Sequence, residues 1–176
     1  MMKIHYAWMI VGLLSILPDV GIAHDGTVNI TGSIYASSCD VDSSSQSLPV
    51  DMGDFSSSGF SAVGDVQGKK KLSINLSNCT TGIEGATITF TGDSDSTNTA
   101  LLALSDTSGG GGMAGGVGIE ILDKDSAQLA INTLSKQYAI AAGNNELDFY
   151  LSYMATKIPV TAGNASSVMY FDLSYQ

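Results

Sequence analysis

The sequence predicts an all-β chain folded as a sandwich. Two observations lead there: apolar residues recur at every second position in several separate runs, and those runs are divided by clusters of Gly, Ser, Asn and Asp. A third excludes the main competitor, because no long segment repeats at helical spacing.

The chain opens with "MMKIHYAWMIVGLLSILPDVGIA". Lys3 precedes an apolar run from Ala7 to Leu17, and the small residues Gly21 and Ala23 follow Pro18. This is the pattern of a secretory signal peptide cleaved after Ala23, so residues 1–23 are set aside from the fold. The run is shorter than the roughly 20 residues that cross a bilayer, which argues against an anchor. No later run is long and apolar enough to span a membrane, so the chain is not expected to be membrane-embedded. Residues 24–176 fit one domain with a substantial core.

The first alternating segment is "TVNITGSI", residues 27–34, with Val28, Ile30, Gly32 and Ile34 on one face. A glycine, the weakest strand former, sits on that apolar face. It marks either a bulge in an ordinary sheet or a face shaped to fit a particular groove. Next come "LPVDMGDF", a short strand-like run, and a Ser- and Gly-rich connection. "KKKLSINLSNC" then alternates Leu72, Ile74 and Leu76 with Ser73, Asn75 and Ser77, and "GATITFTG" does the same with Ile88 and Phe90. "VGIEILD" aligns Val117, Ile119 and Ile121, while "NELDFYLSYMAT" aligns Leu147, Phe149, Leu151 and Tyr153. The last run, "VMYFDLSYQ", carries Met169, Phe171, Leu173 and Tyr175. Two alternating strands thus run almost to the ends of the processed chain, where an unpaired strand would fray.

Composition narrows the function. Seventeen acidic residues stand against seven basic ones, all lysine, for a net charge of −10. Nucleic acid is therefore not an expected partner, since phosphate recognition needs a basic stripe and favours arginine forks. His24 is the one histidine left after cleavage, which argues against triad hydrolases and multi-histidine metal sites. No cofactor is expected. Cys39 and Cys79, the only cysteines in an exported chain, are expected to join each other. Closing a loop of about 40 residues stabilises the fold by roughly 4 kcal/mol in the chain-entropy model.

Other motifs read more simply. The acid pairs in "DSD" at 93–95 and "DKD" at 123–125 lie beside turn residues and are expected to be solvated loop charges. "GGGGMAGG", residues 109–116, formally contains GxGxxG, but a strand pattern follows it where a dinucleotide site needs a helix, so a flexible loop is expected. Lys69–Lys71 reads as a solvated edge or a guard against aggregation. Sequons at Asn29, Asn75, Asn78 and Asn164 are the sort that occur by chance in so hydroxyl-rich a chain.

In order and spacing, several of these blocks resemble subunits of chaperone-usher fimbriae, particularly the type 1 pilins, across nearly all of residues 25–176. The blocks are the glycine-bearing arm "VNITGSI" followed by a cysteine, the second cysteine after "LSINLSNC", the central "GVGIEILDKDSAQLAI", and a final block with the Ala162–Gly163 turn and the penultimate Tyr175. The resemblance implies an incomplete immunoglobulin-like β-sandwich completed by donor-strand exchange. It implies that residues 24–35 form a donor-strand extension and residues 36–176 the pilin domain. Val28, Ile30 and Ile34 would enter successive pockets of a neighbour's groove, with Gly32 where the groove is shallow. Met169, Phe171, Leu173 and Tyr175 would form the strand that borders the groove and meets the chaperone. Implied partners are neighbouring fimbrial subunits, a periplasmic chaperone and an outer-membrane usher, with the finished fimbrium on the bacterial surface supporting adhesion. A self-contained secreted carbohydrate-binding sandwich is the alternative, and it would keep its N-terminal strand in its own sheet.

Overall fold

The computed structural model describes residues 28–32 and 38–176. The chain divides into two units, Met1–Ile34 and Tyr35–Gln176. The predicted signal peptide lies outside the described residues.

Among its described residues the second unit has nine strands: β1 Asp40–Val41, β2 Val66–Cys79, β3 Gly85–Thr91, β4 Leu102–Ala103, β5 Val117–Asp123, β6 Gln128–Leu129, β7 Tyr138–Ala139, β8 Gly143–Ala155 and β9 Tyr170–Tyr175. One sheet has the order β1-β2-β8-β5-β4, with β6 also on β5; the other has the order β7-β3-β9. All pairings between these strands are antiparallel. No α-helix occurs among the described residues.

The alternation in the sequence accounts for the core. Leu72 pairs with Phe149 and Ile74 with Leu147 across β2 and β8, so both strands turn their apolar faces the same way. Ile88 and Phe90 of β3 meet them from the opposite sheet, and the Phe90 and Phe149 rings lie edge to face with centroids 5.0 Å apart. Phe149 is completely buried. The Cys39–Cys79 disulfide joins the chain just before β1 to the last residue of β2.

Four local expectations are revised. "LPVDMGDF" forms no strand, although Met52 is buried. A strand needs a hydrogen-bonded neighbour, and among the described residues none is paired with this segment. The expected single buried face of β5 becomes two, because Leu101 covers Gly118 and the Glu120 carboxylate is buried beside Ser152 Oγ. The glycine-rich loop is tied down at several points. Asp106 accepts from the Gly110 and Gly111 amides, while Asn164 N–H donates to Gly112 O and Ala114 N–H to Asn164 O, both at 2.8 Å. Finally, Asp123 is buried rather than solvated, with Oδ1 accepting from the Asp125 and Ala127 amides at 2.8 Å.

Candidate functional site

The site is a groove along one side of the second unit. β9 pairs with β3 from Ala86–Tyr175 to Thr91–Tyr170, and among the described residues no strand pairs with its other edge. Opposite that edge, residues 46–55 run without strand pairing. Between them lies a cleft of about 1210 Å³ whose floor includes Leu72, Phe90, Ile119 and Leu151 from both sheets. The groove thus opens directly onto the hydrophobic core.

Hydroxyl groups hold the wall that leads into β9. Tyr153 Oη donates to Ala165 O at 2.6 Å, Ser166 Oγ to Ser105 O at 2.8 Å and Ser167 Oγ to Ala103 O at 2.6 Å. Burial raises the Tyr153 hydroxyl pKa, and the nearby Asp51 and Asp54 carboxylates add to the rise, so it remains a donor well above neutral pH. The Phe55 ring lies against Gly68 and 6.0 Å from the Tyr153 ring, capping one end of the groove.

Of the residues predicted for this strand, Met169 and Phe171 line the groove and are half-buried. Leu173 and Tyr175 share their face and pack on the core, but lie beyond the groove lining. Tyr175 Oη reaches Cys39 O at 3.4 Å, tying the end of β9 to the disulfide. Tyr170, Asp172 and Ser174 alternate with them and are exposed.

The arm residues Val28 and Ile30 are 86% and 90% exposed and take no regular structure. A Cβ built on Gly32 would meet nothing within 4 Å, so nothing in its own surroundings requires a glycine there. Ile34, predicted for the same face, lies outside the described residues.

Sequence reasoning missed Phe55, Val160 and the Ser166–Ser167 anchors. The hydroxyls sit in "AGNASS", which has no periodicity to show which side chains turn inward. The Ser- and Asn-rich composition pointed only to a turn.

An unpaired strand edge beside an apolar cleft is suited to accept an extended segment, with main-chain bonds along β9 and alternate side chains in the cleft. Left open, the same combination invites aggregation.

Comparison with known proteins gives one family. A model of the fimbrial protein family matches residues 28–176. The uncharacterized fimbrial-like protein YcbU of Escherichia coli K12 is 39% identical over 151 residues, spanning 85% of this chain and 84% of that protein. The S-fimbrial protein subunit SfaG of E. coli O6:K15:H31 strain 536 is 36% identical over 154 residues, spanning 88% and 85%. Among solved structures, an antigen and type I fimbria protein of Burkholderia pseudomallei is 36% identical, with a TM-score of 0.62 over 78% of this chain and 88% of that one. The P pilus rod subunit PapA, at 24% identity, shares the fold with a TM-score of 0.65 over 78% and 99%.

Proposed function

The chain belongs to the fimbrial protein family, and we propose that it is a structural subunit that polymerises by lending residues 24–35 to the groove of a neighbouring copy or related subunit. The observation that carries this reading is the pairing of an open apolar groove along β9 with an arm whose apolar side chains, Val28 and Ile30, are exposed. In the groove Val28, Ile30 and Ile34 occupy successive depressions, and Gly32 passes where there is no room for a side chain. Burying three aliphatic side chains contributes on the order of 5 to 8 kcal/mol before main-chain bonds are counted.

On this reading Met169, Phe171, Leu173 and Tyr175 also contact a periplasmic chaperone, which covers the groove until exchange at an outer-membrane usher. Export through the periplasm follows from the leader sequence. The assembled fibre, displayed on the cell surface, supports adhesion.

The test uses a chain lacking residues 24–35, with its disulfide intact, and a synthetic peptide of those residues added in trans. A large rise in melting temperature, lost with an Ile30→Asp peptide, supports strand donation. A truncated chain that is already stable, monomeric and indifferent to peptide would instead support a self-contained binding sandwich.

A further inference from the structure

Beside the exposed apolar residues of the groove, Phe55, Val168 and Tyr170, and Leu134 on the β3 side, three further apolar side chains of the second unit are exposed together. Val63 is 65% exposed, Val66 45% and Ile158 38%. Backbone pairing brings them to one end of the sandwich: Gly64 N–H donates to Ala155 O and Ala155 N–H to Asp65 O, both at 2.9 Å, and Val66 pairs with Met154. Ile158 follows Ala155 by three residues, and the exposed Lys157 stands beside it. This end is continuous with the groove, since Ile158 is two residues from the groove-lining Val160 and the groove-lining Phe55 lies over Gly68, two residues past Val66.

The opposite end has different chemistry. It gathers Ser38, which accepts from the Thr80 amide, with the exposed Asp40 and with Glu84, whose amide donates to Gln176 O. Asp40 pairs with Ser77 near the end of β2, and Glu84 precedes β3. This acidic end is also where the arm joins the domain, because residue 38 lies only three positions after residue 35, the last of the arm.

We infer that the end bearing Val63, Val66, Lys157 and Ile158 is a docking surface for the acidic Asp40–Glu84 end of a second copy of this chain. The inference rests on the strand-donation reading. The strand pairings here are antiparallel, and an arm added to β9 in the same sense runs from the Tyr175 end toward the Tyr170 end. Its last residues then leave the groove beside Val160. Three residues of extended chain span only about 10 Å, so the donor's Ser38 end must lie against this surface. Lys157 then faces acidic groups, and the valines and Ile158 lose their exposure to water.

The experiment compares polymers of the full processed chain. Val63→Asp combined with Ile158→Asp should speed their dissociation in denaturant on the order of tenfold. Lys157→Glu and Glu84→Lys should each speed it by several-fold, and the two together should restore the parental rate. In parallel, each variant with its arm removed is titrated with the 24–35 peptide, which reads the groove alone and should bind all of them equally. Variants that bind peptide normally and dissociate at the parental rate would overturn the docking surface while leaving strand donation standing. Failure of the parental domain to bind peptide would overturn both.

Discussion

Lys136 Nζ lies 2.7 Å from Asp123 Oδ2 in an asymmetric pair, with the carboxylate fully buried and the lysine side chain 49% exposed. Asp123 closes the turn after β5, where its other oxygen accepts from the Asp125 and Ala127 amides. Burial alone would raise its pKa, but Lys136 and the two amides outweigh burial and hold it below the usual carboxylate value. Beside it, the exposed Asp125 is lowered to about 2, first by Lys124 and then by Lys136.

The sign of the pH effect follows. A depressed carboxylate pKa contributes stability that is present above the unfolded value, near 4, and is lost as pH falls through the folded value. The stability of the full chain should therefore fall below about pH 4, and Asp123→Asn should flatten that acid limb. Asp123→Ala, which leaves two amides without their acceptor, should cost about 1 to 3 kcal/mol at neutral pH. Urea midpoints measured from pH 2 to 7 check both, and an unchanged acid limb in Asp123→Asn would remove this pair as its cause.

Asp123 also illustrates what the sequence left hidden. "DKD" beside turn residues reads as solvent-facing charge, and what turned one of its members inward is Lys136, thirteen positions away and visible only once β7 is placed. The core was plainer, because Leu72, Ile74, Phe149 and Leu151 are buried by period-2 alternation alone. Alternation placed Phe171 on the inward face of its strand for the same reason, but its place in a groove came only from the resemblance to fimbrial subunits. Tyr175 shares its periodicity yet packs beyond the groove toward Cys39, a distinction that depends on where the groove ends. "LPVDMGDF" looked like a strand because its composition suits one, while strand pairing also needs a partner that composition does not describe.

Gly163 is predicted to be intolerant of substitution. A Cβ there would press on the backbone of the glycine-rich loop, 2.5 Å from Ala114 N and Met113 C and closer still to Gly112 O. These atoms belong to the main chain, so no side-chain rotation relieves the clash. Gly163→Ala should destabilise the fold by about 1 to 3 kcal/mol. Hydrogen exchange should quicken at Ala114, whose amide is held by Asn164 O, and at Asn164. Unchanged exchange at both amides would show that the loop is held by other contacts.

The disulfide should matter most to the unfolded chain. Cys39 and Cys79 are 40 positions apart, so replacing both with serine should cost about 4 kcal/mol in the loop-entropy account. The two residues fasten the start of β1 to the end of β2, and Tyr175 is hydrogen-bonded at the same place. Protection loss in the double variant should therefore be concentrated at the end of β9. A denaturation midpoint equal to the parent's would contradict this assignment.

Gly32 offers the sharpest contrast with Gly163. Both are glycines in conspicuous positions, but a side chain at Gly32 would touch nothing within 4 Å in the free chain, so Gly32→Leu should leave the melting temperature of the monomer unchanged. If the arm is read by a groove in another copy, the same leucine must fit between the depressions that take Ile30 and Ile34, and assembly should slow by about tenfold or more, as overpacking of a fitted interface costs about 1 to 3 kcal/mol. Gly32→Ala, with a single added methyl, should fall between the two. Light scattering during polymerisation, with thermal melts of the same samples, separates the effects. A leucine variant that melts and assembles like the parent would mean that the glycine has no steric role in the arm, while one that assembles poorly yet melts normally would place the constraint in the receiving subunit.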